Sequence, residues 1–231
     1  MSLYVLGDLH LSLGTDKPMD IFKGWDNYVE KIQANWNSLV TDEDTVVVNG
    51  DISWAMSLDN TEKDFAFINN ELNGNKIFIK GNHDYWWSTK SKMDAFLESK
   101  GFDRIKILNN NAYLADGISV CGTRGWINDD SEPFDAKLLN REAGRLEMSV
   151  TEGKKLGGTP VAFIHYPPIF GDEKNYYIID VMKKHGVTDC YYGHVHGRAI
   201  KKAFEGNYDG IEFHIASCDC VGFSPVLVKS T

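Results

Sequence analysis

A chain of 231 residues, 42% hydrophobic and 25% charged, can bury a large core and has the composition of an ordinary globular protein. Thirty-three acids against twenty-four bases leave a net charge of −9, which opposes general binding to nucleic acid or to an anionic membrane surface. No run approaches the ~18 apolar residues of a membrane span, and the opening Met1-Ser2-Leu3-Tyr4-Val5-Leu6 lacks the basic start and apolar length of a signal peptide. The expectation is a cytoplasmic protein built as one domain, residues 1–231.

In chain order, the short apolar run Leu3–Leu6 predicts a strand. Trp25, Val29, Ile32, Trp36 and Leu39 then recur at three- and four-residue spacing, one apolar helix face. A strand at Thr45–Val48 and a helix from Asp59 to Leu72, with Phe65, Ile68 and Leu72 in phase, follow. After a strand at Lys76–Ile79 comes a helix from Ser88 to Ser99, with Ser88 or Thr89 as its cap. Strands are expected at Ile105–Leu108, Ile118–Cys121, Val161–Ile164, Thr188–Tyr192, Ala199–Phe204, Ile211–Ala216 and Ser224–Val228. Leu139, Ala143, Leu146 and Val150 mark a fourth helix, and Tyr177 to His185 a fifth. The order β-α-β-α-β-α gives way after residue 108 to mostly strands. This is the pattern of a mixed α/β protein with two sheets packed together and helices outside. The stretch 128–158 is the longest between motifs; its polar start and amphipathic helix suit a cap over a site, or equally a packing helix. Cys121, Cys190, Cys218 and Cys220 form no paired C-x-x-C framework and read as free thiols.

Five segments place metal-binding side chains just beyond these apolar runs: Asp8-Leu9-His10, Gly50-Asp51, Gly81-Asn82-His83-Asp84, His165 and Gly193-His194-Val195-His196. They hold five of the seven histidines, leaving out His185 and His214, which are taken as structural. In α/β sheets ligands bind at the carboxyl ends of strands, so segments far apart in sequence can face one cleft. Carboxylate with imidazole suits manganese, iron, zinc or nickel. Asp8 and His10 point the same way if the backbone is extended, and His194 and His196 share that spacing. Asp51 has two oxygens and can bridge two cations. Asn82 offers a neutral carbonyl oxygen.

These motifs, in this order over residues 8–196, resemble those of the calcineurin-like metallophosphoesterases. The resemblance implies a four-layer αββα fold, a double β-sandwich with flanking helices. It implies two divalent metal ions: Asp8, His10 and His196 on one, Asn82, His165 and His194 on the other, and Asp51 bridging. It places His83 beside the scissile phosphate, with Asp84 orienting its ring. The reaction it implies is hydrolysis of a phosphodiester or phosphomonoester. A water bridging metals about 3.5–4 Å apart loses a proton and attacks phosphorus, and His83 protonates the leaving oxygen or stabilises the transition state. Arg124 is either a phosphate clamp or a salt-bridge arginine. Trp54, Tyr85, Trp86, Trp87 and Trp126 lie near the motifs, as loop packing or as an apolar wall for a nucleobase or aryl group.

The resemblance divides where substrates divide. After Asp51 the chain reads Ile52-Ser53-Trp54-Ala55, without the Asp-Arg-Gly extension of the Ser/Thr protein phosphatases, and Lys80-Gly81-Asn82-His83-Asp84 stands where they carry Arg-Gly-Asn-His-Glu. A small phosphoester, nucleotide-like in one version, is therefore expected. The alternatives are a Ser/Thr phosphatase-like enzyme and a non-catalytic metal-bearing scaffold.

Overall fold

The computed structural model describes residues 1–126 and 135–228. Its elements run β1 (Leu3–Leu6), α1 (Tyr28–Leu39), β2 (Thr45–Asn49), α2 (Glu62–Asn70), β3 (Asn75–Ile79), α3 (Lys90–Lys100), β4 (Ile105–Ile107), β5 (Tyr113–Ala115), β6 (Ile118–Thr123) and α4 (Ala136–Lys155). They continue with β7 (Thr159–Ile164), β8 (Ile169–Phe170), β9 (Glu173–Lys174), α5 (Tyr176–His185), β10 (Asp189–Tyr192), β11 (Gly206–Tyr208), β12 (Ile211–Ile215) and β13 (Val226–Leu227).

Two sheets carry the fold. One has the order β13-β1-β2-β3-β4, the other β11-β12-β10-β7-β6-β5. The inner strands of both run parallel, and the antiparallel partners β13, β11 and β5 lie at edges. Both faces of the inner strands are covered, so they read as apolar runs rather than alternating patterns. In β2, Val47 faces the other sheet, whereas Val46 and Val48 face helices. In β7, Val161 and Phe163 face the other sheet, whereas Ala162 and Ile164 face helices. Three apolar cores follow. Leu3, Val5, Ile77, Val120 and Tyr191 fill the space between sheets. Ile32, Trp36, Phe65 and Met93 cover the first sheet from α1, α2 and α3. Leu146, Val150, Ile179 and Met182 cover the second from α4 and α5. This is the four-layer αββα arrangement expected.

Several local expectations are corrected. The segment Ala199–Phe204 is not a strand: residues 197–202 form a 3₁₀ turn, whose start is held by Asp219 Oδ2 accepting from the Gly197 N–H at 2.9 Å. Trp25 is not on the first helix, because Asn27 adopts φ 51° and the helix begins at Tyr28. Thr89 is the cap of α3, accepting from the Lys92 N–H. The α4 part of the stretch considered as a cap buries Leu139, Ala143, Leu146 and Val150, and it packs on β6 and α5; residues 128–134 of that stretch lie outside the described residues. All four cysteines are free thiols. No helix among the described residues is long and apolar enough to cross a membrane.

Candidate metal centre

Because the inner strands are parallel, their carboxyl ends gather on one side. The first sheet delivers Asp8 and His10 after β1, Asp51 after β2 and Asn82 after β3. The second delivers His165 after β7, then His194 and His196 after β10. Asn49 joins the sheets beneath them: its side-chain N–H groups donate to the carbonyls of Ile164 and Tyr191.

Two His/Asp groups result. Asp8, His10 and His196 each place a ligand atom within 4.8 Å of the others, and so do Asp51, His165 and His194. Asp51 spans both: its Oδ1 lies 3.5 Å from His165 Nε2 and its Oδ2 3.7 Å from His10 Nε2. The carboxylate is fixed by the His83 backbone N–H, which donates to Oδ1 at 2.8 Å. Asn82 Oδ1 lies 2.7 Å from His165 Nε2 and 2.8 Å from His194 Nδ1, so it converges with the second group.

The backbone reaches this arrangement differently from the extended path expected. Asp8, His10, Asp51 and His194 all have positive φ, from 45° to 73°. Turned loops, not alternation along a strand, aim Asp8 and His10 together. Gly81 allows the loops after β2 and β3 to touch: a Cβ there would lie 2.1 Å from both the Asp51 N and Oδ1.

Protonation favours ligation at most positions. Burial pushes His10 and His194 down to about 3 and lowers His165 as well, holding the rings neutral, the form that binds metal. His165 Nδ1 lies 3.1 Å from the Asn49 carbonyl; a proton there leaves Nε2 free to face the site. His196 differs. Burial pulls its ring down, but Asp8 and Asp219 outweigh that and hold it up at about 10. Its Nδ1 meets Asp219 Oδ1 at 2.8 Å, and its Nε2 lies 3.3 Å from Asp8 Oδ1. Asp8 resists burial through His196, His165 and His10, and stays well below the usual carboxylate range. Burial and the charge of Asp8 push Asp51 up.

Ten residues, among them His10, His83, His196, Trp25, Trp54 and Asp219, line a cavity of about 430 Å³. The His83 ring is 4.4 Å from Trp54 and 5.7 Å from His10, between centroids. Burial lowers its pKa, with His165 adding to the effect, which favours the neutral ring. Trp54 stacks on His10 at 5.0 Å, while Trp86 is buried in the helix-side core.

One expected role changes. Asp84 does not orient the His83 ring. Its carboxylate accepts from the N–H groups of Ile52, Ser53 and Gly81 and from the Trp86 indole, tying the loops after β2 and β3 together. Burial and Asp51 push that carboxyl up to about 7 against those three backbone donors. Arg124 lines a separate small cavity with Lys80 and Arg145. Its guanidinium lies 3.9 Å from the buried Glu142 carboxylate and over the Trp126 ring. Sequence reading missed Asp219, Asn49 and the placement of Trp25, whose ring is 5.7 Å from that of His196. Asp219 had a signal: it follows the apolar run ending at Ala216 within three residues, the same placement that singled out the other acids.

A family model described as calcineurin-like phosphoesterase matches residues 1–198. No curated protein matches the chain. Among solved structures, the chain is similar to TT1561 of Thermus thermophilus, with 12% identity and a TM-score of 0.55 over 98% of this chain and 87% of that one. It is also similar to the protein of unknown function AQ665 from Aquifex aeolicus, with 19% identity and a TM-score of 0.49 over 98% of this chain and 95% of that one. At 12% identity the TT1561 likeness bears on the fold alone.

Proposed function

The chain belongs to the calcineurin-like phosphoesterases, and from that membership we propose that it is a dinuclear metal-dependent hydrolase of a small phosphodiester or phosphomonoester. The observation that carries the reading is Asp51 reaching both His/Asp groups with one carboxylate, beside a histidine outside both groups. The donor set fits two divalent cations of the manganese, iron, zinc or nickel kind: three imidazoles held neutral, a fourth, His196, that gives up a proton to bind metal, carboxylates and one amide oxygen. Asp8, His10 and His196 would hold one, Asn82, His165 and His194 the other, with Asp51 shared. Cations held there draw charge from phosphoryl oxygens and make water nucleophilic at neutral pH.

The chain's own residues do the rest. Asn49 and Asp219 orient the rings of His165 and His196. The His83 backbone N–H sets the rotation of Asp51. The His83 ring, packed beside Trp54, can donate a hydrogen bond to the leaving oxygen as charge develops there.

The test is a manganese-supplemented comparison of p-nitrophenyl phosphate with bis-p-nitrophenyl phosphate. Hydrolysis of at least one is expected, abolished by chelator and by Asp51→Asn, and the better substrate separates monoesterase from diesterase. Two bound metal ions with no hydrolysis of either ester would leave only a metal-bearing scaffold.

A further inference from the structure

Only part of the 430 Å³ cavity is made of candidate metal ligands. Its volume lies within the roughly 300–1,000 Å³ that holds small ligands. Much of the remaining lining is apolar: Met19, Phe22 and Trp25 from the connection between β1 and α1, and Trp54 from the loop after β2. The two indoles are fixed in place. Trp25 packs edge-on against the rings of His10, His196 and Phe223, and Trp54 stacks on His10. Phe22 is different: it lines the cavity yet is 53% exposed, and its neighbour Ile21 is 73% exposed. Lys23 shares the lining, and Lys17 Nζ sits 5.0 Å from the Trp54 ring centroid. Cationic groups therefore stand beside an apolar surface that begins at the metal-ligating histidines; its inner part, Met19 and Trp25, is buried, and its outer part, Phe22 with the partly exposed Trp54, is uncovered. A free phosphate or a sugar phosphate would leave that surface facing water. A ligand anionic at one end and apolar at the other covers it.

Resting on the phosphoesterase reading above, we propose that the substrate is a phosphoester whose phosphoryl group carries an apolar substituent, aryl or alkyl, seated against Met19, Phe22, Trp25 and Trp54. The phosphoryl end lies toward His10, His83 and His196, and the apolar body runs toward Phe22.

The experiment uses the full chain loaded with manganese. Methyl-, hexyl- and phenylphosphonate are titrated by calorimetry, and the p-nitrophenyl diesters of the same three groups are assayed for kcat/KM. Hexyl- and phenylphosphonate are expected to bind at least tenfold tighter than methylphosphonate, at about fourfold for each buried methylene. Phe22→Ala should narrow that preference severalfold, and Phe22→Leu should restore part of it; both replace a half-exposed side chain, so folding is not at stake. A preference for phenyl over hexyl assigns a flat ring, and the reverse assigns a chain. Equal affinities for the three phosphonates, or a preference unchanged in Phe22→Ala, would overturn the assignment. Graded binding with no hydrolysis of any ester would keep the pocket and remove the enzyme reading. Hydrolysis with no gradation would do the opposite.

Discussion

Asp8, His10, Asp51 and His194 sit in the left-handed region, where a non-glycine residue costs on the order of 1–3 kcal/mol. Four such residues in one cluster mark side chains aimed at a common point at the expense of local stability. The residue types and their places after strands were legible in the sequence, because metal ligation demands those chemistries and parallel strands collect their carboxyl ends. The backbone path was not, since aspartate and histidine enter αL more often than most residues but still too rarely for the residue type to announce it. Nor was the role of Asp84, whose partners are backbone N–H groups brought near only by the fold. At this scale, His83→Ala should retain both metals in elemental analysis while kcat falls by about 10²–10⁴-fold; full turnover in that variant would remove the donor role. Asp219→Ala should lower metal affinity by about 10–100-fold in a competition titration, confined to one of the two sites, because His196 loses the carboxylate that orients it. Loss at both sites together would mean that Asp219 acts on the whole loop rather than on His196.

The strands buried on both faces were recognised because a continuous apolar run leaves little choice. The edge strands Tyr113–Ala115 and Gly206–Tyr208 escaped notice, each having only three residues and partly exposed side chains. Trp25 was assigned to a helix because its spacing continues the face of α1 past the point where Asn27 breaks it. One element carries an unexpected titration. Lys76 in β3 is fully buried, and its ammonium donates to the Leu72 carbonyl. Burial, with the like charge of Arg104, pushes its pKa down from 10.5 to about 7. Between pH 7 and about 10 the unfolded chain therefore binds a proton that the folded chain lacks. Stability contributed by this group rises with pH across that window, by up to about 1.4 kcal/mol per unit. It levels off below pH 7, where both states are protonated. Urea denaturation at pH 7.5, 8.5 and 9.5 should show this rise in the wild type and a flatter profile in Lys76→Met. Parallel profiles would show that Lys76 is charged in the folded protein.

Across the whole molecule, Asp8, Asp51 and Asn82 come from one sheet and His165, His194 and His196 from the other. Cations bound by these residues would fasten the two sheets at one end, beside the Asn49 bridge. Manganese at a hundred times the Kd of each site should add about 2.7 kcal/mol per occupied site to folding, raising the Tm of chelator-stripped protein by roughly 5–10 °C for each. Far-UV circular dichroism should stay native after stripping, because the three apolar cores do not depend on the metals. Unfolding on chelation would make the metals structural. The four-layer arrangement could be expected from element order, but the pairing of the chain's two ends could not. β13 closes against β1, and β12 shelters the flank of β10. Every predicted ligand and the whole family match lie within residues 1–198, whereas both of these strands and Asp219 lie beyond. A fragment ending at Arg198 would thus keep the complete set of motifs and expose β1 and β10 as raw, unpaired edges, ready templates for aggregation. Boundaries drawn by recognisable chemistry would cut this protein inside its folding unit, so any excised version for engineering must extend at least through Leu227.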